Sequence, residues 1–458
     1  MAEARPWLLV PIETKVREFH SKILLATVAA SNGFDVVLGE QNALLAHLPN
    51  LPKGIYIDKS VSRTKRENFR QLTEEGRIVT AWCEEGLVYF SRQFYLDNRI
   101  DVESLGLVQK FFAWGDVQAA DIRSKAPELQ DRIVVSGNPR LDLLRPEFRQ
   151  LFGDDAEKLR QQHGRFVLVN TNFGRFNHHL GQDAAIELAR VRGLIDTPEK
   201  EAYQRKWSQF VGVLFEEFVD VLPDLSRALP DHTIVLRPHP SENHQTWRDR
   251  LGDVPRIHVI HEGNVIPWLM ATEAVVHNSC MTALEAYLLN VPSVCYRPTT
   301  SEHYEAHLPN AVSHQAHDAQ QLIAHLTAIT GNQISLPHGA PGEARRHIAA
   351  LDGELATARV VSALKDIDIE PQKFEPNGAT RLRIKAINAF AVLKPMFRRL
   401  RHGSRANAYL QQKFSGFSLA EVQDTVAAIQ KLSGDFEHVR VENMAAHNCL
   451  RLTVVSEN

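Results

Sequence analysis

The stretch WLLVPIETKVREFHSKILLATVAASNGFDVVLGE, from Trp7 to Glu40, decides the fold. It reads as strand, loop, helix, strand. WLLVPI is an unbroken apolar run, the mark of a strand buried on both faces. REFHSKILLATVAASNG sets Phe19, Ile23, Leu24, Thr27 and Val28 at helical spacing and ends at Asn32-Gly33, a helix stop. FDVVLGE is the next strand.

The alternation continues through GIYID, a helix from about Thr64 to Gly76, IVTAW, a helix after Gly86, LVQKFFAWG and RIVVSGNPRLD. Between Gly153 and Gly164 the chain turns polar, and then the pattern restarts. RFVLVNTNF, HTIVLRPHP, RIHVIHEG, EAVVHNS and VPSVCYRP read as strands. A long amphipathic helix from roughly Pro198 to Leu229, NVIPWLMAT and CMTALEAYLLN read as helices. Short apolar strands alternating with helices imply a parallel sheet covered on both faces. The expected class is α/β, with two Rossmann-like parallel-sheet domains over 1–155 and 165–335. Such domains face a cleft at the carboxyl ends of their strands, where ligands bind.

A mainly helical C-terminal extension is expected over 336–458. Within it, IDIEPQKFEPNGAT reads as a linker, and no acidic residue occurs between Asn377 and Ala420. Two readings fit that basic segment: a solvated helix packing back on the protein, and an interfacial helix on anionic lipid. Phe390, Val392, Leu393, Met396 and Phe397 supply apolar area beside Arg398, Arg399 and Arg401.

Bulk composition narrows the class. A hydrophobic content of 44% over 458 residues suits a soluble globular enzyme, and a net charge of -3 gives no overall pull toward nucleic acid. Cys83, Cys280, Cys295 and Cys449 show no CxxC spacing, which argues against a zinc ribbon or a disulfide framework and fits a reducing cytoplasm. No apolar run reaches the length of a signal peptide or a transmembrane helix.

Three motifs carry chemistry. Glu84-Glu85-Gly86 directly follows a strand, at the carboxyl end of the first sheet, where a carboxylate can take a proton from a sugar hydroxyl. An acid pair opening a helix is the plainer reading. Glu74-Glu75-Gly76 precedes its strand and lies at the structural end. Arg237-Pro238-His239-Pro240 leaves a strand of the second domain, where Arg237 and His239 can contact a phosphate, unless the turn merely ends the strand. His277-Asn278-Ser279-Cys280-Met281-Thr282 joins a strand to a helix. Ser279 and Thr282 in its first turn suit an anion, Glu285 a ribose, and Asn278 or Ser279 a plain N-cap. Glu13, Arg17 and Glu18 follow the first strand as acceptor-binding candidates. Asn172, Arg175 and His178 follow a strand of the second domain and suit the nucleotide or a donor carboxylate. The DxD at Asp366-Ile367-Asp368 reads as surface.

Taken in order, these motifs resemble the D/E-D/E-G, HP and SS/ST motifs of bacterial sialyltransferases and of related capsule and lipopolysaccharide glycosyltransferases with the GT-B fold. PIETKVREFHSKILLA, GIYIDKSVS, CEEGL, SGNPRLD, RPHPSE and NSCMTALEAYLLNVPSVCYRP resemble a narrower group, the surface carbohydrate biosynthesis proteins, over roughly residues 7 to 315. The resemblance implies a transferase that moves a CMP-activated acidic sugar, of the Kdo or sialic acid type, onto a surface glycan or glycolipid. In it Glu85 is the general base, with Glu84 beside it, and His239, Ser279 and Thr282 meet the donor phosphate. This chain has Ser279-Cys280 where many members pair two hydroxyls, so that carry-over rests on Ser279. With one phosphate in the leaving group, no metal and no cofactor are expected, inversion is the default stereochemistry, and the expected location is the cytoplasm, with a peripheral place on the inner membrane face if the basic segment is interfacial. Other classes stay open: a CDP-glycerol or CDP-ribitol phosphotransferase, a UDP-GlcNAc 2-epimerase-like enzyme, and a non-catalytic scaffold of a glycan assembly complex.

Overall fold

The computed structural model describes residues 4–191, 193–391 and 416–454. Its chain divides into two units. Unit 1 is drawn from Met1–Gly86, Arg99–Leu151 and Ile348–Asn458; unit 2 is drawn from Leu87–Asn98 and Phe152–His347.

Unit 1 begins as the opening stretch predicts. Strand β1 (Trp7–Ile12) is buried at all six positions, helix α1 (Lys15–Ser31) is buried all round from Ser21 to Ala30, and β2 (Asp35–Glu40) returns beside β1. The helix stops at Asn32, and Gly33 adopts a left-handed φ of 95°, which only glycine takes without strain. β3 (Ile55–Asp58), β4 (Ile78–Trp82), β5 (Lys110–Ala113) and β6 (Ile133–Val135) follow, all parallel. Their order is β2-β1-β3-β4-β5-β6, so the winding direction reverses between β1 and β3.

Unit 2 holds β7 (Phe166–Asn170), β8 (Thr233–Arg237), β9 (Ile257–Val259), β10 (Ala274–His277), β11 (Ser293–Tyr296) and β12 (His314–Ala316), again all parallel. The order β12-β11-β10-β7-β8-β9 is the 3-2-1-4-5-6 order of a dinucleotide fold, with its reversal between β7 and β10. Phe215, Phe218 and Leu222 of the helix Pro198–Ala228 pack with Trp247 in the core that also holds Val167 and Val169 of β7. The expected class, α/β with two Rossmann-like parallel-sheet domains, is what the chain has.

The expected domain limits need correction at two places. Leu87–Asn98 belongs to unit 2, because Phe90 and Phe94 pack edge-on against Trp207 at ring distances of 4.4 and 5.5 Å. The extension expected over 336–458 does not stand apart: from Ile348 onward it is grouped with unit 1. Its described residues are mainly helical, yet they end in a hairpin, β13 (Val439–Asn443) and β14 (Cys449–Val454). β14 pairs antiparallel with β2 and completes the order β13-β14-β2-β1-β3-β4-β5-β6. Without it, β2 would present a bare edge. Asp35 locks the hairpin by accepting from Arg451 at 2.9 Å and from the Thr453 hydroxyl at 2.5 Å.

The basic segment, read as either a solvated or an interfacial helix, lies mostly outside the described residues; Phe390, at its described end, is exposed. Among the described residues no helix is long and apolar enough to cross a membrane.

Candidate functional site

Each sheet presents its chemistry at the carboxyl end, next to its own winding reversal. In unit 1 the loop after β4 carries the acid pair. It does not open a helix, since the next helix begins only at Arg92. Neighbouring strands shape it instead. The Glu84 amide donates to the Lys59 carbonyl beyond β3 at 3.1 Å, and Trp114 Nε1, just past β5, donates to the Cys83 carbonyl at 2.7 Å. A Cβ on Gly86 would lie 1.9 Å from the Gln118 amide nitrogen, so only glycine fits there.

The two acids differ in environment. Trp82 Nε1 donates to Glu84 Oε1 at 2.7 Å, and Glu84 Oε2 is buried with no hydrogen-bond partner. The Glu85 side chain is 51% exposed and lies 3.5 Å from Arg17 Nη1. Arg17 also reaches buried Glu18 at 3.4 Å. Burial pulls the Arg17 pKa down, but Glu84, Glu85 and Glu18 outweigh it and raise it above the ordinary guanidinium value. Lys59 pairs with Glu13 and stands 3.6 Å from Glu18. Burial favours neutral Glu18, yet Lys59, Arg17 and Lys22 hold its carboxyl below the usual range. Glu13, Arg17, Glu84 and Glu85 thus belong to one charged cluster at the β1/β3 reversal. Sequence reasoning passed over Lys22, a member of it; the signal was a lysine inside the apolar stripe between Phe19 and Ile23.

In unit 2 the loops after β7, β8 and β10 meet. Asn278 Oδ1 accepts from the Asn172 amide at 2.8 Å, a bond that spans the β7/β10 reversal. Asn170, which sequence reasoning also missed, ends β7 with a buried Oδ1 lacking a hydrogen-bond partner. Arg175 stacks on Trp207, its guanidinium carbon 3.3 Å from the ring centroid, and donates to Gln204 at 2.5 Å. His239 is exposed after β8. The Ser241 amide donates to its Nδ1 at 3.2 Å, so the neutral ring carries its proton on Nε2. Gly174 of the β7 loop abuts Ser241: a Cβ would meet the hydroxyl at 2.1 Å.

Buried Glu242 ties these loops together. It accepts from the Thr171 hydroxyl at 2.8 Å, from the amides of Phe173 and His239 at 3.0 Å each, and from Trp247 Nε1 at 2.8 Å.

Two other expected donor-binding residues, Arg237 and Ser279, are engaged elsewhere. Arg237 is buried, and its guanidinium donates to the carbonyls of Glu262 and Gly263 at 2.7 Å each. It clamps the loop after β9, and burial lowers its pKa to about 10. Ser279 lies outside the helix, with a left-handed φ of 59°, and its hydroxyl donates to Asn310 Oδ1 at 2.9 Å. The helix starts at Thr282, with no side-chain cap from Asn278 or Ser279. The Thr282 hydroxyl lies beside the Cys280 thiol, and Glu285 is buried one turn on. Asp366 and Asp368 are exposed, and among the described residues no group of three or more His, Cys, Asp or Glu is placed to hold a metal.

His277, at the end of β10, holds the turn before that helix. Ser313 gives its proton to the Pro309 carbonyl, so His277 Nε2 donates to Ser313 Oγ at 2.8 Å, while Nδ1 accepts from the Cys280 amide at 3.4 Å. Burial depresses its pKa from 6.5 to about 3. The unfolded chain therefore takes up a proton that the native ring refuses. Stability is complete above about pH 6.5 and falls toward pH 3, by about 1.4 kcal/mol per pH unit for this one proton. His277→Gln, which keeps one donor and one acceptor, removes that proton from the linkage. Urea unfolding between pH 7 and pH 4.5 should show a shallower loss of stability than the parent; an unchanged slope refutes the assignment.

No protein-family model matches the chain, and no curated protein matches it. Among solved structures it is similar to a UDP-N-acetylglucosamine 2-epimerase from Listeria monocytogenes, at 13% identity and a TM-score of 0.48 over 81% of this chain and 100% of that one. It is similar to the UDP-GlcNAc 2-epimerase from Methanocaldococcus jannaschii in complex with UDP-GlcNAc and UDP, at 13% identity and a TM-score of 0.49 over 78% and 99% of the two chains. It is also similar to the wall teichoic acid polymerase TagF, at 10% identity and a TM-score of 0.48 over 79% and 87%.

Proposed function

We propose that the chain is a nucleotide-sugar transferase of surface-polysaccharide synthesis. Unit 2 takes the nucleotide-activated donor, and unit 1 presents the base to an acceptor hydroxyl. One observation carries this reading above the others. The unit 2 sheet has the strand order of a dinucleotide fold, and the loops at its carboxyl end join across the reversal through Asn172 and Asn278. His239, with its proton on Nε2, is the donor for a phosphate oxygen there. Asn170 and Arg175 supply further polar contacts to the nucleotide. Arg237 and Ser279 hold the surrounding loops, Arg237 through two carbonyls of the loop after β9 and Ser279 through Asn310.

In unit 1, Glu85 is the proton acceptor: it is the exposed member of the acid pair, and Arg17 orients it. The donor class we assign is a CMP-activated acidic sugar, whose carboxylate and single phosphate suit Arg175 and His239. The acceptor is a hydroxylated glycan.

Purified full-length protein is incubated separately with CMP-sialic acid, CMP-Kdo, CDP-glycerol and UDP-GlcNAc, each with and without an oligosaccharide acceptor. Consumption of a CMP-sugar that depends on the acceptor is expected. Consumption of CDP-glycerol alone replaces this reading with alditol-phosphate transfer. Conversion of UDP-GlcNAc without an acceptor replaces it with epimerisation. Absence of binding to any nucleotide leaves a scaffold.

A further inference from the structure

Lys22 sits in the middle of α1 and is 2% exposed. Its ammonium has no hydrogen-bond partner. It lies 3.9 Å from the ring centroid of Trp82, the same indole whose Nε1 holds Glu84. Glu84 Oε2 is likewise buried without a partner, and so is the hydroxyl of Thr80, which precedes Trp82 by two residues on β4 and therefore shares its face. Three polar groups thus converge on one side of β4, with a donor, an acceptor and a hydroxyl unsatisfied. The cluster meets solvent at Arg17 and Glu85, whose side chains are 30% and 51% exposed.

Such an arrangement costs stability. An ammonium removed from water needs a counter-charge or several acceptors, and a cation–π contact replaces only part of its hydration. Burial lowers the Lys22 pKa even against the pull of Glu18, Glu84 and Asp58, while Lys59 pushes it the same way as burial. A methionine of the same length would fill the site without this cost.

We propose that Lys22 contacts the ligand of unit 1: its ammonium donates to an oxygen of the hydroxylated acceptor, while Glu84 Oε2 accepts from a neighbouring hydroxyl. The sugar then completes the hydrogen bonds that the protein leaves open. This rests on the reading that unit 1 binds the acceptor, and it assigns Lys22 and Glu84 to acceptor recognition beside the base, Glu85.

The test compares Lys22→Met and Lys22→Gln with the parent, as full-length protein. Removing a buried ammonium without hydrogen bonds should raise the Tm of Lys22→Met by about 2–4 °C. The Kd for CMP should stay within about twofold, and acceptor-dependent consumption of the CMP-sugar should fall at least about a hundredfold. Lys22→Gln, which keeps a donor without the charge, should recover part of that loss. A lower Tm in Lys22→Met makes Lys22 a structural cation and overturns the proposal, as does consumption within threefold of the parent. A parent that consumes no donor at all strikes the functional reading instead, and the Tm comparison still decides whether Lys22 is structural.

Discussion

Glu85→Gln lowers acceptor-dependent donor consumption about a thousandfold and leaves the Kd for CMP within about twofold of the parent. The amide has the shape of the carboxylate but cannot take the acceptor proton. Because Glu85 is half-exposed and its contact with Arg17 is long, at 3.5 Å, the change should cost little stability, and the Tm should move by less than about 2 °C. Initial rates of donor consumption, with CMP binding by calorimetry, check both halves. Turnover within tenfold of the parent would remove Glu85 as the base. The same experiment on Glu84→Gln separates the two acids. Glu84 is held by Trp82 and belongs to the buried side of the cluster, so its loss should raise KM for the acceptor more than it lowers kcat.

The second large effect is on stability. Glu242→Ala should destabilise unit 2 by about 4 kcal/mol, read as a lower urea midpoint. Four donors point at this one carboxylate, from the loop after β7, the loop after β8 and the indole of Trp247. Truncation leaves all four buried and unmade, and it opens a void beside Trp247. Glu242→Gln is the sharper variant. Three of the four donors meet Oε1, so its carbonyl can keep them while its amide nitrogen opposes only Trp247 Nε1, and the loss should be well below that of Glu242→Ala. Glu242→Ala also loosens His239, whose amide Glu242 holds, and should weaken CMP binding even in the folded fraction at low temperature. A midpoint within 0.5 kcal/mol of the parent would show that these donors find other partners.

Particular residues show how far the sequence could be read. β1 and β7 were legible because a strand buried on both faces has to be continuously apolar, and both are buried at every position. The helix Pro198–Ala228 was legible to within one residue, since Thr197 and Pro198 mark its start. The hairpin Val439–Val454 was not. Val439-Arg-Val-Glu alternates as an edge strand does, but the hairpin joins the sheet through β14, whose partner β2 lies roughly 400 residues earlier, and nothing local points there. Arg237 misled for a related reason. A cation at a strand exit suits a phosphate, and only the loop at Glu262 and Gly263 shows that its donors are already committed.

The candidate site divides along the same line. The sequence by itself determined which residues stand at the carboxyl ends of strands, because strand and helix periods are set within a few residues and parallel winding puts every loop after a strand on one edge. That places Glu84, Glu85, His239 and Asn278. Only the tertiary structure decided which of these side chains are committed and which are exposed. Hydrogen-bond partners such as Trp114 for the acid loop, Glu242 for the β7 loop and Asn310 for Ser279 come from 31 or more residues away. Burial of a charge, as at Lys22, follows from what packs around it, and short-range periodicity carries no record of that.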